Sequence, residues 1–312
     1  MNRRRLLATV AGVAGSAAVS GCLSALTPAA KTETERPPGG TAGTCPAYED
    51  VTRVVCNDEV GPAAAGAVLD PSDRAVDPDG TIEFTLENNS DRTLSTNFYD
   101  WRVDKRVDGD WYHVAPQFVA QPLMSVPPGG SHAWTVTVDD GRVESGDSVD
   151  PAGGTEDVSL RAVGGGEYAF RARGWFDGDD HEQDVAFAAT FDVDADPLAL
   201  TPTSTIEHTR WDGDALVARS SRGDPEGEYS RLGAYELRRV GPPVDDPHSV
   251  IVEQVVRNDQ LRDALALARK RDADRVRLEE YDSTTPIFGS RSDRVYEFRE
   301  SFYRVRTREV NE

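Results

Sequence analysis

Lysine, histidine and long apolar runs are all scarce in this sequence of 312 residues. Only three of the 34 basic residues are lysines, and 55 acidic residues give the chain a formal net charge of −21. A chain this acidic is poorly suited to the phosphate backbone of nucleic acid, so we expect no nucleic-acid partner. Five histidines are scattered, and neither H-E-x-x-H nor G-x-S-x-G occurs after the first 21 residues. The commonest hydrolase signatures are missing, and we expect no catalytic residues.

The charge composition has a solvent explanation. Arginine supplies nearly all the positive charge, and the mean hydropathy is −0.53. Few lysines and many acids resemble the proteins of salt-loving archaea, whose carboxylate surfaces stay hydrated while high salt screens their mutual repulsion. We therefore interpret the acidity as a halophilic adaptation to the solvent and not as a clue to a substrate.

An uncharged apolar run, residues 6–19, follows a basic head of Arg3, Arg4 and Arg5. The run is shorter than the roughly 20 apolar residues that a membrane-spanning helix needs. A basic head, an apolar run and small residues are typical of an export signal, which we place at residues 1–21. The adjacent arginines followed by two leucines resemble a twin-arginine signal, and this implies export of a folded chain.

The stretch V-S-G-C at residues 19–22 resembles the lipobox of exported lipoproteins. The resemblance implies cleavage before Cys22 and a lipid on its thiol, which would hold the protein on the extracellular face of the membrane. The alternative is an ordinary signal peptide with a chance cysteine. Residues 22–44 contain no large apolar residue after Leu26, so we predict a flexible tether there.

Two further cysteines, Cys45 and Cys56, lie close together in a chain predicted to be exported. We predict a disulfide between them, worth roughly 3 kcal/mol through the entropy of the unfolded loop. A zinc site would need more ligands, and no histidine lies nearby.

Charge is unevenly spread along the chain, which suggests two domains. Residues 22–200 hold 12 basic and 33 acidic side chains, whereas residues 201–312 hold 19 and 22. A stretch with two prolines interrupts the strand pattern at residues 196–202. We therefore predict one domain at residues 45–196 and a second at residues 203–312.

The first domain shows the alternation of half-buried strands. T-I-E-F-T-L-E at residues 81–87 places Ile82, Phe84 and Leu86 on one face. Two alternating runs flank Asp108 and Gly109, a dipeptide typical of tight hairpins because both residues tolerate positive φ. Six or seven short strands with turn-rich gaps predict a β-sandwich.

Motifs over residues 79–194 add a family resemblance. The order N-N-S, D-G-D-W, P-P-G-G and G-E-Y is similar to that of immunoglobulin-like domains on bacterial and archaeal surface lipoproteins. The resemblance implies an immunoglobulin-like sandwich more than it implies an activity. A small sandwich of the extracytoplasmic proteinase-inhibitor type is a related interpretation, although no inhibitory loop stands out.

The second domain combines strands with one helix. Strand patterns cover residues 229–240, 249–256, 275–281 and 294–310. Apolar residues at helical spacing follow Asn258 or Asp259, either of which suits an N-cap. We predict a small α+β domain of about five strands and one helix.

An acidic cluster and an arginine-rich strand are candidate binding sites. Carboxylates in D-G-D-D-H-E-Q-D could bind calcium, the only cofactor that the sequence suggests, but a solvated hairpin is favoured because the EF-hand positions are missing. The cluster consists of Asp177, Asp179, Asp180 and Asp184. Arg304, Arg306 and Arg308 alternate and should share one sheet face. They could bind an anionic glycan or a carboxylate-rich protein, but pairing with acids across the strands is favoured.

Asn88, in N-N-S, fits a glycosylation acceptor. Four tryptophans in strand patterns, Trp101, Trp111, Trp134 and Trp175, are expected in the core, with a sugar-stacking surface as the alternative.

Together these features predict a lipid-anchored surface protein that acts by binding or scaffolding, with a surface protein or a glycan as its partner. The alternative is an extracellular hydrolase or a proteinase-inhibitor-like protein, whose carboxylates would have to converge in a cleft.

Overall fold

The computed structural model describes residues 45–59, 66–139, 143, 146–180, 182–243, 247–289 and 293–310. The predicted export signal with Arg3, Arg4 and Arg5, the lipidation site Cys22 and the tether lie outside the described residues. Within the described ranges, no helix is long and apolar enough to cross a membrane.

The described chain is mostly β, with three sheets and few helices. The first sheet contains β1 (Arg53–Cys56), β3 (Ala75–Val76), β5 (Leu94–Thr96), β6 (Arg102–Val107), β7 (Asp110–Ala115), β8 (Met124–Val126), β11 (Gly166–Phe176) and β12 (Val185–Val193). The second sheet contains β2 (Ala67–Pro71), β4 (Thr81–Asn88), β9 (Ser131–Asp139) and β10 (Asp157–Arg161). We call these two sheets together the two-sheet region.

The third sheet follows in the chain, with strand order β13-β14-β17-β15-β19-β18-β16. Its strands are β13 (Ile206–Asp212), β14 (Ala215–Ser220), β15 (Arg231–Val240), β16 (His248–Ser249), β17 (Arg275–Asp282), β18 (Arg294–Phe298) and β19 (Ser301–Glu309). Two α-helices, α1 (Val252–Val255) and α2 (Asp259–Arg271), and a 3₁₀ turn (Ile287–Gly289) accompany it.

The first two sheets pack against each other around one core. Ile82, Phe84 and Leu86 of β4 are buried, as their alternation predicted. The ring of Phe84 stacks on that of Phe170 from the first sheet, with centroids 4.4 Å apart. Trp134 of β9 is fully buried in the same core. The predicted hairpin is confirmed: Asp108 and Gly109 join β6 to β7 with φ of 52° and 97°.

The predicted disulfide between Cys45 and Cys56 is present, with Cα atoms 5.8 Å apart. It closes a short loop whose β1 pairs in parallel with β12. Tyr48 of this loop lies 4.5 Å from the guanidinium of Arg171, measured to the ring centroid. The loop is therefore fastened to the first sheet by a covalent bond, a strand pairing and a cation–π contact.

The helix after Asn258 is confirmed as α2, and the Asn258 side chain accepts a hydrogen bond from the backbone N–H of Leu261. The predicted strand at residues 249–256 is wrong beyond Ser249. There the chain turns into the short helix α1, because its valines are buried by helical packing and Gln254 accepts a hydrogen bond from Ile251 N–H. Tertiary burial overrides the strand preference of a β-branched run.

The prediction of about five strands undercounts the third sheet, which has seven. Residues 294–310 form two strands, because Arg299 and Glu300 both adopt positive φ and reverse the chain. Neither residue type is typical of such a turn, so the sequence carried no signal for it. Gly213 and Asp214 form the turn of the other additional hairpin, between β13 and β14.

The described residues form one compact unit with two main cores. Buried polar contacts join the regions: Lys105 Nζ lies 2.5 Å from Glu253 Oε1. Arg262 of α2 donates hydrogen bonds to the backbone carbonyls of Val143, Asp147 and Thr201. These contacts hold α2 against the segment that connects the two-sheet region to the third sheet. Helix α2 packs on one face of the third sheet and does not cover the opposite face.

A candidate anion-binding face on the third sheet

The two faces of the third sheet differ in chemistry. Leu216, Tyr235, Leu278 and Val305 belong to the core that includes α2. Alternate residues on the same strands carry charged side chains on the opposite face, because successive side chains on a strand point to opposite sides. We call this opposite face the arginine face.

Strand register brings three arginines into one row. Arg238 of β15 pairs with Arg275 of β17 on one side and with Arg304 of β19 on the other. Adjacent strands lie about 4.8 Å apart, so the row spans about 10 Å. Like charges directly opposite one another destabilise a sheet. The row therefore has an energetic cost that a bound anion would offset.

The next row alternates in sign. Glu236 of β15 stands between Arg277 and Arg306 in the register. Glu236 also lies 3.0 Å from Arg308, on the row after that. Positive charge is therefore concentrated at the first row and at Arg306.

Most of these arginines have carboxylate partners. Arg275 lies 3.0 Å from Asp214, and Arg304 and Arg306 share Asp293 at 3.3 Å and 3.5 Å. Hydrogen bonding from Arg275, and then the charges of Arg275 and Arg238, hold the pKa of Asp214 below its usual value. The Asp214 carboxylate is accordingly ionised at neutral pH.

Arg238 differs from its neighbours. It is exposed, and within the described part of the chain its guanidinium makes no ion pair and donates no hydrogen bond, while its charge acts on Asp214 from a longer distance. A guanidinium offers five N–H donors in a planar fork that matches carboxylate, sulfate or phosphate oxygens. Arg238 is thus the cation of this row with its hydrogen-bonding capacity free for a ligand.

Two depressions lie at the arginine face and at the adjoining end of the third sheet. A cleft of about 270 Å³ on the arginine face is lined by five arginines and Glu236, with Ala215 and Val240 among its apolar members. Its arginines are Arg238, Arg275, Arg277, Arg304 and Arg306. A shallower depression of about 580 Å³ shares Arg238 and Arg275 with the cleft and contains Trp211.

The predicted alternation of Arg304, Arg306 and Arg308 on one face is confirmed by the register with β15. Pairing across the strands, the favoured interpretation, accounts for Arg308 through Glu236. It leaves Arg304 and Arg306 with one shared carboxylate. Arg238 and Arg275 were not predicted as site residues, although the two-residue period of β15 and β17 could have placed each on an exposed face.

The acidic cluster lies at the turn between β11 and β12. Asp179 is 2.7 Å from Arg92, and Asp184 is 3.8 Å from Arg173. The backbone N–H of Asp177 bonds to the Thr93 carbonyl. Asp180 accepts a hydrogen bond from the backbone N–H of Glu182. Among the described residues, no group of three or more His, Cys, Asp or Glu side chains is arranged to hold a metal ion.

Asn88 is buried, with 1% of its surface exposed. Its Nδ2 donates to the carbonyls of Arg92, Val126 and Pro127, and its Oδ1 accepts from Ser90. A glycan on this nitrogen would displace these bonds, so in the folded chain the side chain organises the turn after β4.

The four tryptophans in the predicted strands were expected in the core, and two of them are fully buried there. Trp101 and Trp134 are fully buried, and Trp111 and Trp175 are half-buried. The remaining tryptophan, Trp211 of edge strand β13, is 55% exposed.

Comparisons with known proteins leave the family open. No protein-family model matches the chain, and no curated protein matches it. Two solved structures show a partial likeness. The sporulation control protein Spo0M from Bacillus subtilis is 15% identical, with a TM-score of 0.24, and the match covers 42% of this chain and 50% of that one. The alkylpurine DNA glycosylase AlkC from Pseudomonas fluorescens, bound to DNA with an abasic site analog, is 13% identical, with a TM-score of 0.23, and the match covers 42% and 31%. The chain thus spans half or less of either protein.

Proposed function

We propose that this protein is an exported lipoprotein that binds an anionic partner on the cell surface and catalyses no reaction. The lipobox-like stretch ending at Cys22 supports anchoring to the extracellular face of the membrane. The arginine face supports binding, and the observation that carries the proposal is Arg238. This exposed guanidinium stands between two others and lacks a carboxylate partner among the described residues.

The two-sheet region is, in the same proposal, an immunoglobulin-like sandwich. Its two packed sheets and its two buried tryptophans, Trp101 and Trp134, support this arrangement. The sandwich then acts as a rigid mount, because buried polar contacts such as Lys105 with Glu253 hold the third sheet to it.

Binding is tested by retention of the detergent-solubilised protein on immobilised dextran sulfate at stepped salt concentrations. We expect the parent protein to be retained and Arg238→Glu to weaken binding by about ten-fold or more, because a charge-assisted contact is replaced by repulsion. Arg74→Glu is the matched control, since Arg74 is 85% exposed and lies in the two-sheet region. Equal loss in both variants, or no retention of the parent protein, refutes the proposal.

Anchoring is tested by mass spectrometry of the protein isolated from cell membranes. We expect an N-terminal peptide that begins at Cys22 and carries the added mass of a lipid. The Cys22→Ala variant should lack that added mass. A parent protein without it would refute the lipid anchor and leave the binding proposal intact.

A further inference from the structure

The geometry points to an acidic polysaccharide as the partner of the arginine face, with Trp211 packing against its sugar rings. This inference rests on the proposed binding role of that face and names the ligand. Three observations carry it: the exposure of Trp211, the continuity of the two depressions, and the mixture of donors and acceptors that line them.

Trp211 exposes a large apolar surface on an otherwise charged edge of the molecule. It is 55% exposed, whereas the other four tryptophans are buried or half-buried. Its cross-strand partner is Leu216, a core residue, so Trp211 projects beside the covered face of edge strand β13. An indole with one accessible side offers a flat apolar platform and one N–H donor. The C–H face of a pyranose ring packs well on such a platform.

The depression containing Trp211 reaches the arginine row around the end of the sheet. It is formed where β15 ends and β17 begins, and it shares Arg238 and Arg275 with the cleft. A linear ligand lying on Trp211 would therefore pass over Arg238 and continue toward Arg304. The arginines of the row are spaced about 4.8 Å apart, which suits a polymer with anionic groups repeated along its length.

The polar groups around Trp211 select against other polyanions. Asp214, Asp272 and Asp274 line the same depression. They are held by Arg275 and Arg239, and each carboxylate keeps further acceptor positions. These acceptors need hydrogen-bond donors from the ligand, whereas Arg238 needs an anion. Polysaccharides that carry carboxylates or sulfates among their hydroxyls supply both.

Nucleic acid and acidic polypeptides fit less well. A DNA strand carries no hydroxyl groups along its backbone, so that backbone offers no hydrogen-bond donor to the three carboxylates of the depression. Polyglutamate satisfies the arginines but has neither hydroxyls nor rings for Trp211. The site therefore favours a ligand that alternates sugar surface with negative charge.

The test compares three probes in the same buffer: polygalacturonate, poly-L-glutamate and single-stranded DNA. Each is titrated into the detergent-solubilised protein and into Trp211→Ala, Trp211→Phe and Arg238→Glu variants. We expect polygalacturonate to bind most tightly and Trp211→Ala to weaken it about ten-fold, a loss typical of removing an aromatic stacking partner. Trp211→Phe should retain most of the affinity, and Trp211→Ala should leave polyglutamate binding unchanged.

Two results would overturn the polysaccharide and leave the binding role standing. In the first, polygalacturonate and polyglutamate bind with equal affinity and Trp211→Ala has no effect. In the second, single-stranded DNA binds more tightly than polygalacturonate. Failure of all three probes to bind would overturn the binding role itself. Because Trp211 lies on an exposed edge, the Trp211→Ala variant should keep the parent circular dichroism spectrum, which separates lost contact from lost fold.

Discussion

Two groups of arginines, one in the two-sheet region and one on the third sheet, differ in their surroundings. In the former, Arg173 holds Asp50 and Asp100 at 3.1 Å and 2.6 Å, and Arg171 holds Asp50 at 2.8 Å beneath Tyr48. In the latter, Arg238 stands between two other arginines on an uncovered face. Arg171 and Arg173 thus fasten parts of the first region together, whereas Arg238 on the third sheet is presented to solvent. The third sheet, whose part of the chain is closer to charge balance, is therefore the region where arginines gather in one row.

The largest expected effect concerns the pair that joins the two regions. Lys105 and Glu253 have side chains 8% and 4% exposed. Glu253→Gln should lower the free energy of unfolding by about 3–5 kcal/mol, because it leaves a buried ammonium without its counter-charge. Urea unfolding followed by near-UV circular dichroism measures this.

The double variant Lys105→Met with Glu253→Gln is its control. It should recover much of the loss, because the buried ammonium is then removed together with its counter-charge. If Glu253→Gln alone costs less than about 1 kcal/mol, the two regions do not depend on this pair.

Removing the disulfide should weaken the two-sheet region without touching the arginine face. Replacing Cys45 and Cys56 by serine should cost roughly 3 kcal/mol, through the greater freedom of the unfolded loop. Urea titration gives the stability, and dextran sulfate retention reports on the third sheet. If this variant loses dextran sulfate retention as well as stability, the arginine face depends on the disulfide of the two-sheet region.

The histidines predict a pH dependence that falls mainly on the two-sheet region. Burial lowers the pKa of His132 and of His113 from 6.5, and that of His248 near the third sheet as well. The unfolded chain therefore binds more protons just below pH 6.5. Stability should be complete above that pH and fall as the pH decreases, by at most about 1.4 kcal/mol per pH unit for each histidine.

His132→Gln should reduce this slope. His132 stacks on Phe98 with ring centroids 3.6 Å apart, in the packing of the two-sheet region. Urea midpoints at pH 7.5 and 5.5 measure the effect, and His208→Gln, on β13, is the control. A slope that is unchanged in His132→Gln would show that this ring is not the proton-linked group.

The smallest effect has the opposite sign. Arg238→Thr should raise the free energy of unfolding by about 0.2–1 kcal/mol, because it removes like-charge repulsion between neighbouring strands. Arg171→Thr, in the two-sheet region, should instead lower it by about 1.5–3 kcal/mol, because the charge-assisted hydrogen bond from the buried guanidinium to Asp50 is lost. If both variants are destabilised alike, the arginines of the two regions do not differ in role.

Local signals in the sequence predicted much of the fold. Asp108 and Gly109 predicted their hairpin because both residues tolerate positive φ. Asn258 predicted the start of α2 because its side chain satisfies a free N–H of the first turn. The turn at Arg299 and Glu300 escaped prediction, since long charged side chains give no preference for the left-handed conformation that the chain adopts there.

The candidate site was predicted only in part. Period-two alternation placed Arg304, Arg306 and Arg308 on one face of a strand, and this needs no knowledge of the neighbouring strands. Their relation to Arg238 and Arg275 depends on the pairing of strands that lie far apart in the chain.

By itself, the sequence determined the properties that depend on composition and short spacing: a strongly acidic chain rich in strands, a short disulfide loop and an amphipathic helix. Only the tertiary structure decided that three arginines stand side by side, that Arg238 lacks a carboxylate partner in the described chain, and that Trp211 shares a depression with it. The physical reason is that burial and strand register are set by contacts between distant segments, and a shift of one residue in register would move every one of these side chains to the other face.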